Sequence, residues 1–179
     1  MMRMLAVGTF VAALAMVGVS VGTSERSGPA TPRFLLENAA SSKEDLFRRF
    51  LDALEAEDAD ALHELRVTEA EYKDFILAHS VPEGAPLRNL RPEVRDHAWG
   101  TLDTKSLYSE RFLMHEHGGR RYARIKTVEW DKGEGQYEGF RALKQLRLTV
   151  EHPDGEDLIK TGSVVELDGQ YKFMSFIRD

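Results

Sequence analysis

The chain has 179 residues, no cysteine, 30% charged residues and a net charge of −6 at neutral pH. A disulfide framework, a thiolate nucleophile and a lipid-modified N-terminal cysteine are therefore excluded, and the acidic balance excludes an electrostatic grip on nucleic acid. The length suits one domain of ordinary size behind a short N-terminal extension.

Arg3 is the only charge before Glu25, and residues 4–21 are otherwise apolar or small. A short charged flank, an apolar run and small residues at Ser20, Val21 and Gly22 describe a secretory signal that a signal peptidase removes. The run also reaches the lower limit of the ~17–25 residues that span a bilayer, so an uncleaved anchor is the alternative. A buried core helix is a third reading, against which stands the lack of charge on any face. Residues 1–22 are thus read as signal peptide or membrane anchor. The product is exported, to the periplasm or medium, or held at the membrane if the segment stays.

Residues 23–42 read as a linker that opens on Ser, Thr, Gly and Pro. Phe34, Leu35 and Leu36 form either a docking turn or the end of that linker. The folded domain is expected over 43–179, held by its core alone. Ser41 and Glu44 have capping-box spacing ahead of a helix with Leu46, Phe47, Phe50, Leu51 and Leu54 on one face. After an acidic stretch, Ala61, Leu62 and Leu65 continue as a second helical piece. Thr68 and Glu71 form another capping box, with Val67 and Tyr72 as a hydrophobic staple and Phe75 and Ile76 turned inward. Three prolines mark a loop over 81–92, and Pro92 opens a long helix that Gly118 and Gly119 close. Its apolar stripe is expected at Val94, Ala98, Leu102 and Phe112.

Residues 121–130 predict a strand with a bulge, and 131–139, with three glycines, an exposed loop. Leu146, Leu148 and Val150 alternate with polar residues as in a half-buried strand. Pro153, Asp154 and Gly155 break the run, and a second strand is expected over 158–167. Asp168-Gly169 signals a two-residue hairpin into a third strand over 170–177. That strand is expected to put Tyr171, Phe173 and Ile177 on one face, and Met174 and Phe176 on the other, together with Val165 of the preceding strand. The class is α+β, with N-terminal helices packed on a curved antiparallel sheet.

This order resembles the NTF2-like (SnoaL-like) superfamily. The likeness rests on the opening helix of Leu46 to Leu54, its acidic continuation at 55–60, and the closing stretch Gly162-Ser163-Val164-Val165-Glu166-Leu167-Asp168-Gly169-Gln170-Tyr171-Lys172-Phe173. With Val67-Thr68-Glu69-Ala70-Glu71-Tyr72 added, the chain is similar to a group of uncharacterised exported bacterial proteins. The resemblance implies a cone-shaped fold. It carries over no activity, because the superfamily includes isomerases, dehydratases and binding modules.

His115-Glu116-His117 is the most conspicuous cluster. On a strand the two imidazoles would share a face, but two ligands are too few for zinc, and at a helix C-terminus they simply suit the dipole. Asp96-His97 and His63-Glu64 are helical neighbours that point about 100° apart, so neither is a preformed dyad. Counting back from the hairpin sets Gly162 opposite Ser175, a gap that reads either as a pocket floor or as a close approach of a helix. Trp99, Tyr108, Tyr122 and Tyr171 are the aromatics that would line such a pocket. No P-loop, G-x-G-x-x-G or G-x-S-x-G occurs.

The reading is an exported, non-catalytic binding or interaction module of the cell envelope, without metal or cofactor. Its ligand site would be Trp99, Tyr108, Tyr122, Gly162, Tyr171 and Ser175, taking a small apolar ligand. One alternative is a lyase or isomerase with a buried carboxylate or histidine as general base. Another is a structural homodimer through the sheet, which an exposed Val165, Met174 and Phe176 face would favour.

Overall fold

A computed structural model describes residues 34–80 and 90–178. The expected signal or anchor, the linker's first part and most of the 81–92 loop lie outside them. Among the described residues no helix is long and apolar enough to cross a membrane.

Helices come first. Helix α1 (Lys43–Glu55) starts one residue later than the capping-box spacing suggests. Ser42 is the N-cap, its hydroxyl accepting the Asp45 N–H at 3.0 Å. The expected apolar face, Leu46 to Leu54, is buried. Helix α2 (Ala59–Glu64) is capped by Asp58, whose carboxylate accepts the Ala61 N–H at 2.9 Å. The second capping box forms as expected. Thr68 N–H donates to Glu71 Oε2 (2.6 Å) and Glu71 N–H to Thr68 Oγ1 (3.2 Å). Helix α3 follows as a wide π-helical stretch, Glu71–Ile76, continued by an α-helical turn, Leu77–His79.

Helix α4 (Pro92–His117) ends at Gly118, as the glycine pair predicts, and the Gly119 N–H reaches the Leu54 carbonyl at 3.0 Å. Its inward face is not the expected stripe. Val94 is exposed, while Trp99, Asp103, Ser106, Glu110, Leu113 and His117 run along the buried or half-buried side. Only Ser106, Glu110 and Leu113 among them are fully buried. A hydrophobic reading misses this face because it is built to serve polar partners. Arg66 pairs with Asp103 and Glu110, and the Phe176 N–H donates to Ser106.

The strands are β1 (Arg124–Trp130), β2 (Glu134–Gln136), β3 (Arg141–Leu143), β4 (Leu146–His152), β5 (Gly155–Thr161), β6 (Val164–Leu167) and β7 (Gln170–Phe173). They form two antiparallel sheets, ordered β1-β4-β5 and β2-β3-β6-β7, so the class is α+β. The bulge lies in β1, between Ile125 and Thr127. The β6–β7 register is the one counted from the turn, Leu167 opposite Gln170 and Val164 opposite Phe173. Asp168 (φ 49°) and Gly169 (φ 78°) both hold the positive φ of a type I′ turn.

The single strand expected over 158–167 is two. The chain leaves the first sheet after Thr161 and enters the second at Val164, turning the corner at Gly162-Ser163. A Cβ on Gly162 would lie 2.1 Å from the Ser175 carbonyl oxygen. The missing side chain therefore admits backbone, and no pocket floor is left there. Strands β2 and β3 were hidden in the glycine-rich loop and just after it.

Two cores result. The first joins the α1 face, Leu62, Leu65 and Leu113 to Leu148, Val150, Ile159, Val164, Phe173 and Phe176. The second, across the four-stranded sheet, gathers Leu36, Val67, Ile76, Phe140, Val165 and Leu167, with Met174 packed against it. The face that would favour a homodimer is thus covered by the chain itself. Phe176 turns into the first core, since the ladder stops at Phe173, and stacks on Phe50 with ring centroids 6.0 Å apart. Part of the expected linker belongs to this unit, which spans Phe34–Asp179. Leu36 is buried, and Ala40 exchanges backbone hydrogen bonds with Tyr171 at 2.9 and 3.0 Å.

Candidate functional site

The side of α4 and the C-terminal residues 176–178 enclose a cavity of about 520 Å³. Its formation follows from the Ser106 hydroxyl, which accepts the Phe176 N–H at 3.2 Å and brings the last residues alongside the helix. Leu113 and Phe176, both buried, supply an apolar floor, with Phe112 and Ile177 beside them. Tyr108 stands at the mouth, 73% exposed. The Arg178 guanidinium lies over the Phe112 ring, 4.2 Å from its centroid, and Lys105 completes a cationic rim. Among the described residues the lining includes no carboxylate. Volume and apolar lining are those of a small-molecule pocket.

A second cavity, of about 560 Å³, opens between α2 and α4. His63 and Glu110 line it, with His63 Nδ1 3.4 Å from Glu110 Oε2. Glu110 is itself held by Arg66, whose Nη1 donates to Oε1 at 2.6 Å, while Nη2 donates to Asp103 at 2.7 Å. Arg66 is 2% exposed and sits 5.9 Å from the Trp99 ring centroid. The partner of His63 is thus a carboxylate on another helix and not its neighbour Glu64. Asp96 likewise turns away from His97 and pairs with Lys73 of α3 at 2.5 Å.

His115 and His117 both fall in the last turn of α4 and have different surroundings. His115 is exposed at the second cavity. His117 is half-buried, its Nδ1 3.8 Å from Asp157 Oδ2, too far for a hydrogen bond. Asp157 also receives Arg120 at 2.5 Å and lies 3.6 Å from His152 Nε2. Burial lowers the His117 pKa against the opposing pull of Asp157. Burial, with the Asp157 charge, pushes Tyr122 up to about 12, and its hydroxyl donates to the His117 carbonyl at 3.1 Å. Among the described residues, no three His, Asp or Glu side chains form a group that could hold a metal.

The six residues predicted to bind a ligand do not converge. Gly162 and Ser175 meet, in contact without space between them. Tyr108 lines the α4 groove, whereas Trp99 packs on Tyr72 with ring centroids 5.7 Å apart, at the second core. Tyr122 and Tyr171 are half-buried against the first core. Lys105, Phe112, Phe176, Ile177 and Arg178 were missed as lining residues. Their only sequence signal was a closing segment rich in aromatic residues, with a cation at Arg178 before the final Asp179. Comparison with protein-family models, with curated proteins and with solved structures finds no match for this chain. Function is accordingly argued from the chemistry of the sites.

Proposed function

We propose that the chain is an exported, non-catalytic binding module of the cell envelope, of NTF2-like architecture, that holds a small apolar ligand. The observation that carries the binding reading is the cavity of about 520 Å³ with its Leu113 and Phe176 floor. Helices preceding antiparallel strands, and α1 packed on them, support the architecture. The uncharged run at 4–21 supports export. Two measurements test the reading. Mass analysis of protein made in a bacterium should find a new N-terminus near Thr23, and an intact Met1 in the cytoplasm opposes export. An environment-sensitive apolar dye should bind the full chain with one-to-one stoichiometry and lose affinity in Tyr108→Ser, Ile177→Ser; unchanged dye binding opposes the pocket.

One observation favours a lyase or isomerase as the second reading. His63 shares a cavity with the buried Glu110, which Arg66 holds in place. A carboxylate at Nδ1 would leave Nε2 to take a proton. Such a base would wash solvent deuterium into carbon acids of a small β-keto ester panel, and His63→Gln would abolish it. Absence of any exchange removes this reading.

A further inference from the structure

The α4 groove carries a charge pattern that names a ligand class, an inference that rests on the binding reading. We infer that the groove takes a single-chain amphiphile with a carboxylate head. The head sits against Arg178 and Lys105, and the tail lies along Phe112, Phe176 and Ile177.

In this acidic chain many of the described cations are engaged by carboxylates, though others, such as Arg111 and Lys160, are not in any ion pair. Arg66, Arg120, Arg124, Arg141 and Arg147 each meet a carboxylate at 3.1 Å or less. Among the described residues, Lys105 and Arg178 have no ion-pair partner, and both stand on a cavity whose lining includes no carboxylate. An unneutralised cation beside apolar surface is less screened than one in open water, which favours an anion there. Phe112 holds the guanidinium by its face, 4.2 Å from the ring centroid. Its N–H edge stays free for the two-pronged bond that arginine makes to a carboxylate. A neutral ligand of the same shape would leave both cations unanswered, and an amine would be repelled. The second cavity makes the contrast. Glu57, Asp60 and Glu110 line it beside the single fixed cation Arg111, so carboxylates outnumber that cation and disfavour an anion there.

The test is calorimetric titration of the full chain with decanoate, decanol and decylamine, each below its micelle concentration. Decanoate should bind at least about tenfold more tightly than decanol, the scale of one charge-assisted hydrogen bond, and decylamine weakest. Lys105→Gln, Arg178→Gln should bring decanoate to the level of decanol. Both positions are exposed, so the variant should melt with the parent. Equal binding of decanoate and decanol, unaffected by the double variant, overturns the inference and leaves the binding reading standing. Preference for decanoate that survives the double variant also overturns it, by placing the anion elsewhere. Failure of all three probes, together with unchanged dye binding in the Tyr108→Ser, Ile177→Ser variant, removes the binding reading itself. Binding to anionic vesicles without binding of monomeric decanoate overturns the inference in favour of a membrane surface.

Discussion

Replacing Gly162 by alanine should destabilise the domain by about 3 kcal/mol, the upper end of the scale for forcing extra atoms into a filled interior. A Cβ here would stand 2.1 Å from the Ser175 oxygen and 2.7 Å from its carbonyl carbon. Carbon–oxygen contacts in proteins settle near about 3.3–3.6 Å, so a shift of more than about 1 Å is required. Both obstacles are backbone, and no side-chain rotation relieves them. Residues 174–176 would have to move, drawing Phe176 from Phe173, now 4.8 Å between centroids, and straining the hydrogen bond to Ser106. Gly100→Ala is the internal comparison. Nothing lies within 4 Å of its Cβ position inside α4, so alanine should stabilise by about 0.5–1 kcal/mol through helix propensity. Urea unfolding of the two variants should give opposite signs. A Gly162→Ala protein within about 0.5 kcal/mol of the parent, the ordinary surface scatter, would refute the close-approach argument.

Lys172, 1% exposed, pairs with Glu71 at 3.0 Å. Lys172→Met should cost about 3–5 kcal/mol by leaving a buried carboxylate without its counter-charge, and adding Glu71→Gln should cost less than the sum. A denaturation cycle in which the two losses simply add would count against the pair. The burial that lowers the His117 pKa makes the unfolded chain the better proton acceptor. This contribution is therefore full above the ordinary imidazole value of about 6.5 and is lost as pH falls through it toward the lower folded value. His117→Gln should flatten that part of the profile, and melting curves with parallel pH slopes in parent and variant would contradict the assignment.

What could be read in the chain was local. The Thr68–Glu71 cap and the Asp168-Gly169 turn each act over a few residues, and the amphipathic face from Leu46 to Leu54 needs only its own period. Partners far apart in the chain leave no such trace. Glu71 meets Lys172 across 101 positions and His63 meets Glu110 across 47, so neither contact has a spacing signature. The α4 face was misread for a related reason: a stripe of Asp103, Ser106 and Glu110 looks solvated until Arg66 is placed against it. The strand over 158–167 kept one apolar pattern while changing sheets, and Gly162 marked the change without saying what approached it. For the site, Tyr108 was named and the other wall was not, because the groove exists only once Ser106 has fixed Phe176.

A strand at the end of a sheet presents unpaired N–H and C=O groups that another chain can adopt. Strand β7 is such a strand by sheet order, yet its outer side is occupied. Ala40 takes Tyr171 in both directions, and Phe173 accepts from Val67 and donates to Leu65 at 2.8 and 2.9 Å. The described end of the expected linker, at Ala40, is thus a seal. A chain begun at Lys43 would keep α1 and both sheets but uncover the Tyr171 groups. It would associate by strand addition at concentrations where a chain begun at Phe34 stays apart.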